Sequence, residues 1–96
     1  MMLATLIQQL QEAKAKNLIL GASVSTLCLP VIVVIQLPHT TALGTLTDLK
    51  QHIKDEFPYT TLAIWNIEYT VYISFTIDNP HVLGCEQYMN TPTLTI

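Results

Sequence analysis

The stretch EYTVYISFTID, residues 68–78, decides the fold: Tyr69, Val71, Ile73, Phe75 and Ile77 alternate strictly with Glu68, Thr70, Tyr72, Ser74 and Thr76. A period of two sends successive side chains to opposite faces of a strand, so the segment reads as a strand with one dry face and one wet face. Such a strand needs sheet neighbours at its sides and a covering layer on its dry face. Upstream, Thr60 to Trp65 reads as a shorter strand, and Asn66, which tolerates a left-handed conformation, is the candidate turn residue between the two. The connection is either a tight hairpin or one long strand bulged at Asn66 and Ile67. Downstream, Asp78, Asn79 and Pro80 form a turn signal, residues 81–90 carry no clear period, and Thr93 to Ile96 are a candidate last edge strand.

The covering layer is supplied by two helical patterns. Leu3, Leu6, Ile7, Leu10 and Ala13 recur at three- and four-residue spacing over Leu3 to Lys16, with Gln8, Gln9, Gln11 and Glu12 on the other face and Asn17 or Gly21 available to close the helix. Leu46, Leu49, Ile53 and Phe57 line a second helix over Leu46 to Phe57. Thr45 and Asp48 stand at capping-box spacing at its start, and Pro58 stops it. The expected architecture is α+β: two helices on one face of a mainly antiparallel sheet of four to five strands, in one domain over residues 1–96. Its predicted core holds Leu6, Leu10, Val31, Val33, Ile35, Leu49, Ile53, Val71, Ile73, Phe75 and Trp65.

The run from Leu18 to Leu37 has no charged side chain and is long enough for a single membrane-crossing helix. Against insertion, Gly21, Ser23, Ser25 and Thr26 interrupt its first half, Pro30 sits in the middle, and Val31 to Ile35 is β-branched almost throughout. Branched side chains pack well on a pleated surface and lose freedom on a helix, so Val24 to Leu29 and Val31 to Leu37 are expected as one bent strand or two consecutive ones, the second covered on both faces. A membrane-inserted segment over 18–37 is the alternative. The run lies behind a polar amphipathic stretch and is followed by no small-residue cleavage site, so it does not read as a secretory signal.

Composition mostly excludes. Of 96 residues, 50% are hydrophobic and 11% charged, with a formal charge of −3. That much apolar surface disfavours disorder. The basic residues are Lys14, Lys16, Lys50 and Lys54, with no arginine. No basic stripe can be drawn, so a nucleic-acid partner is not expected. Cys28 and Cys85 form no CxxC and no zinc spacing, which favours reduced thiols and a cytoplasmic location.

Chemistry finds little support. His52 with Asp55 and Glu56 is the arrangement expected of a solvated helix face. His81 with Cys85 and Glu86 would make a small cysteine/histidine-dependent enzyme only if an orienting base and an electropositive setting were supplied, and spacing supplies neither. Glycine at only Gly21, Gly44 and Gly84 rules out a glycine-rich phosphate loop. No enzyme activity, cofactor, metal or small-molecule substrate is expected. What remains is the wet face of residues 68–78: Thr70, Tyr72, Ser74 and Thr76, with Trp65 nearby, are the candidate interaction residues, and Tyr59 is a further aromatic. A flat, lysine-free, threonine-rich strand invites pairing. The expected function is therefore a non-enzymatic protein-interaction module, homodimeric or binding another protein through a sheet face or edge.

The segment Thr45 to Phe57 followed by strands resembles the helix of ubiquitin-like β-grasp folds, from which the chain departs by opening on a helix instead of a hairpin. The order helix, strand, helix, strand, strand is similar to that of small phage structural and accessory proteins. No motif carries either resemblance, and the chain is assigned to no family on this ground.

Overall fold

The structure, a computed structural model, describes residues 2–26, 31–58, 60–77 and 93–96. Its elements run α1 (Leu3–Ala15), β1 (Gly21–Ser25), β2 (Val31–Pro38), α2 (Leu43–Glu56), β3 (Leu62–Ile67), β4 (Thr70–Ile77) and β5 (Thr93–Thr95). The strands form one five-stranded sheet in the order β3-β4-β2-β1-β5, antiparallel at every junction. This is the expected α+β class with two helices and an antiparallel sheet.

Register explains the core. Val31, Val33, Ile35 and Leu37 of β2 pair with Ile77, Phe75, Ile73 and Val71 of β4, and Ala22 and Val24 of β1 pair with Ile35 and Val33. All ten side chains therefore point to one face, and all ten are buried. Onto that face α1 brings Leu3, Leu6, Ile7 and Leu10, and α2 brings Ile53 and Phe57, with Leu46 and Leu49 half-buried beside them. Phe57 stacks on Phe75, ring centroids 5.9 Å apart.

The described part of the charge-free run holds two antiparallel strands, β1 and β2. No helix among the described residues is long and apolar enough to cross a membrane. One expectation about this run is corrected: β2 is covered on one face only. Ile32 and Gln36 are exposed and Val34 is half-buried. Apolar residues at both parities hide the alternation, so a continuous hydrophobic run does not require two covering layers. Pro38 fits at the end of this interior strand because β1 pairing stops at Gly21 opposite Gln36. His39 N–H donates to the Tyr69 carbonyl, so odd residues of β2 bond to β4 and the donor Pro38 lacks would face the β1 side beyond its end.

The helix ends show local chemistry at work. At the end of α1, Asn17 N–H donates to the Lys14 carbonyl and Leu18 N–H to the Ala13 carbonyl, with Asn17 at φ 59°. This is a Schellman closure with asparagine in the left-handed position that glycine usually occupies. The start of α2 departs from the capping box: the helix begins at Leu43 after Ala42, without a side-chain cap, and Thr45 lies inside it. Within the first turns, Thr47 donates its hydroxyl back onto the Leu43 carbonyl at 3.0 Å.

The β3–β4 connection is a tight hairpin, but its turn is Glu68 and Tyr69, not Asn66, which pairs with Val71 inside the ladder. Glu68 holds φ 54°, the sign a type II′ turn requires at its first central position. Tyr69 is thereby taken out of the core alternation and packs edge-to-face on His39, centroids 5.2 Å apart. Trp65, expected in the core, lies on the opposite face. The turn at Asp78 to Pro80 and the segment holding His81, Cys85 and Glu86 lie outside the described residues, as do Cys28 and Tyr59.

Two variants test this account. Ile73 is fully buried (0% exposed). Its truncation in Ile73→Ala lowers unfolding free energy in urea by about 2–5 kcal/mol. Asn17→Val loses about 1–2 kcal/mol from its left-handed backbone, while Asn17→Gly keeps full stability.

Candidate functional site: an open sheet face and a bare edge

Both described helices pack on one side of the sheet, so among the described residues its other face carries no helix. Residues of the opposite parity line it in cross-strand rows. Trp65, Tyr72, Gln36 and Gly21 form one row; Ala63, Ser74, Val34, Ser23 and Thr95 form the next; Thr76, Ile32, Ser25 and Thr93 follow, and Ile67, Thr70 and Pro38 end the face near the hairpin. None of these side chains is charged. Among the described residues, Glu12, Lys14 and Lys16 sit on or just after α1, Asp48, Lys50, Lys54, Asp55 and Glu56 on α2, and Glu68 in the hairpin turn. Solvated charge is thus confined to the helical side and one turn.

The candidate interaction residues do not form a uniform set. Trp65 and Tyr72 are direct partners in the β3–β4 register, and their rings stack at 5.3 Å between centroids and 7° between planes. Two aromatic rings held in this way form a rigid platform, Tyr72 half-buried behind Trp65. Thr76 is engaged within the chain: its hydroxyl accepts a hydrogen bond from Thr61 N–H at 3.3 Å, while its own N–H donates to the Thr60 hydroxyl at 3.1 Å. Thr60 in turn donates to the Thr76 carbonyl. These bonds clamp the start of β3 to the end of β4. Thr70 and Ser74 stand half-buried on the open face.

Edge pairing through residues 70–76 is corrected by the topology. β4 has β3 on one side and β2 on the other, so its backbone groups are spent. The sheet edges are β3 and the three-residue β5. Within β3, the exposed Ile64 and Ile67 are the residues that periodicity missed. Its sequence LAIWNI has large apolar side chains at both parities, and Ile64 (41%), Trp65 (38%) and Ile67 (54%) remain exposed. Ile64 pairs with buried Ile73 on the helix side, yet lies beyond the reach of α2. A shallow hollow lined by Leu43, Leu46, Thr47, Lys50 and Ile64 separates the two.

Sites for small-molecule chemistry are poorly furnished. A narrow apolar crevice between the helices is lined by Leu6, Leu10, Ile35, Leu49, Ile53 and Phe75, with His52 and Glu56 at its rim. Asp55, which stood with His52 and Glu56 in the candidate cluster, accepts a hydrogen bond from Gln51 one turn earlier at 2.8 Å. No group of three His, Cys, Asp or Glu side chains able to hold a metal ion occurs among the described residues. Compared with protein-family models, with curated proteins and with solved structures, the chain matches none.

The aromatic platform is measurable in solution. A double-mutant cycle of Trp65→Ala and Tyr72→Ala in urea unfolding gives a coupling of about 0.5–1.5 kcal/mol; additive losses would mean that the rings do not support each other.

Proposed function

We propose that this chain is a small non-enzymatic protein-interaction module of the cytoplasm that binds a second copy of itself through the β3–β4 side of its sheet. The observation that carries the reading is the uncharged open face bearing the stacked Trp65 and Tyr72. Monomer surfaces intersperse charge of both signs, whereas the centres of interfaces are depleted of charge and enriched in tryptophan and tyrosine. Apposing two copies of this face brings no like charges of the described residues together, so charge repulsion does not oppose self-association. A strongly charged partner would find nothing here to pair with.

Light scattering on the purified protein across a concentration series tests the reading. The expected result is a mass of two chains that dissociates on dilution. Tyr72→Glu, which places a carboxylate behind Trp65, shifts the series toward monomer by at least tenfold in concentration. A mass of one chain at every concentration for the unmodified protein overturns homodimerisation.

A further inference from the structure

We propose that the second copy joins through the β3 edge, with β3 pairing antiparallel to its own counterpart about a two-fold axis at Ile64 and extending the sheet from one copy into the next. This rests on the homodimer reading and specifies its geometry. Among the described residues, β3 has β4 on one side only, and no strand pairs with the backbone groups on its other side. Which residues own those groups follows from the ladder. Thr76 N–H donates to the Thr61 carbonyl at 3.3 Å, one step beyond the pair Leu62 and Phe75. In an antiparallel ladder, bonding residues alternate, so Thr61, Ala63, Trp65 and Ile67 turn their backbone toward β4. Leu62, Ile64 and Asn66 turn theirs outward.

Edge strands are ordinarily guarded by lysine, proline, a bulge or a covering element. Among the described residues, β3 has none of these. Residues 62–67 contain no charge, proline or glycine, the register to β4 runs unbroken from Leu62 to Ile67, and Ile64, Trp65 and Ile67 stay exposed, uncovered by either described helix. The opposite edge, β5, is only three residues long.

The match of this strand to itself argues for a copy as the occupant. An antiparallel two-fold at Ile64 is the register that pairs all three outward residues, Leu62 with Asn66 of the second copy, Ile64 with Ile64, and Asn66 with Leu62. On the open face it sets each Trp65 opposite Ala63 of the second copy, a large side chain beside a small one. Shifting the axis to Trp65 would set the two indoles directly against each other and leave Leu62 unpaired. On the helix side the paired Ile64 side chains lie beside the hollow next to Leu43, which is 78% exposed. Among the described residues no strand carries a charge, and Glu68 sits in the turn.

Ile64→Pro tests the edge. Proline is tolerated where a strand's N–H faces solvent, so the β3–β4 ladder and the far-ultraviolet circular dichroism spectrum are retained. The same substitution removes the central donor to the second copy and places a ring against its strand. The expected result in light scattering is monomer at concentrations where the unmodified protein is dimer, a shift of at least a hundredfold in dissociation constant. Should Ile64→Pro lose its spectrum, Ile64→Lys, which keeps the donor and adds like charges at the axis, must give the same loss of dimer. A folded Ile64→Pro or Ile64→Lys variant that remains fully dimeric overturns the edge geometry while leaving homodimerisation in place. An unmodified protein that is monomeric throughout overturns both.

Discussion

Among the described residues, two helices cover one face of a five-stranded sheet and none covers the other, and the rest of the fold depends on that inequality. Because side chains alternate strictly along a strand, one-sided coverage divides every strand between two environments, and a slip of one residue would exchange them. The register holds Val31, Val33, Ile35, Val71, Ile73, Phe75 and Ile77 under the helices. It thereby commits Ile32, Val34, Tyr72, Ser74 and Trp65 to the outside. The open face is not a separate invention of the chain but the other half of its core.

Charge is distributed to the same plan. The helices carry almost all the described carboxylates and lysines on the faces they turn to water, which keeps the covered side of the molecule well solvated. Among the described residues, the open face has hydroxyls, an amide and apolar side chains, but no charge. That division gives the molecule two unlike sides, one suited to remaining in water and one that loses little by leaving it.

Much of this was legible in residues 68–78, where alternation between apolar and polar residues is clean enough to identify a one-sided strand. The helices were equally legible from Leu3, Leu6, Ile7 and Leu10 and from Leu49, Ile53 and Phe57, because their apolar stripes recur at helical spacing. Periodicity misled where apolar residues occupy both parities. VIVVI in β2 reads as doubly buried, and LAIWNI in β3 conceals that its outer side chains have nothing above them. The hairpin turn was misplaced because glutamate and tyrosine at Glu68 and Tyr69 are not turn formers by composition; the register imposed by β4 on β3, with Ile67 opposite Thr70, determines the turn instead. Nor could spacing reveal that β4 is interior, which moves the vulnerable edge from the threonine-rich strand to its neighbour. Thr70, Tyr72, Ser74 and Thr76 were found together on one face, while Ile64 and Ile67 became visible only once the strand order was known.

Face and edge make different demands on an interface. Stacking a second layer over the open face would bury the hydroxyls of Thr70 and Ser74 and the amide of Gln36, and each polar group left without a partner costs about 1–3 kcal/mol. Thr76 is partly exempt, since its hydroxyl already serves Thr61 N–H. Pairing at the β3 edge works in the opposite direction: it supplies partners to the outward N–H and C=O groups of Leu62, Ile64 and Asn66 and leaves the hydroxyl rows in water. Trp65 belongs to both surfaces, standing on the open face of the edge strand with Tyr72 fixed behind it at 5.3 Å. A strand added beside β3 covers the indole laterally without desolvating the threonines, so the aromatic platform and the bare edge act at one place, and the edge is the less costly way to use it.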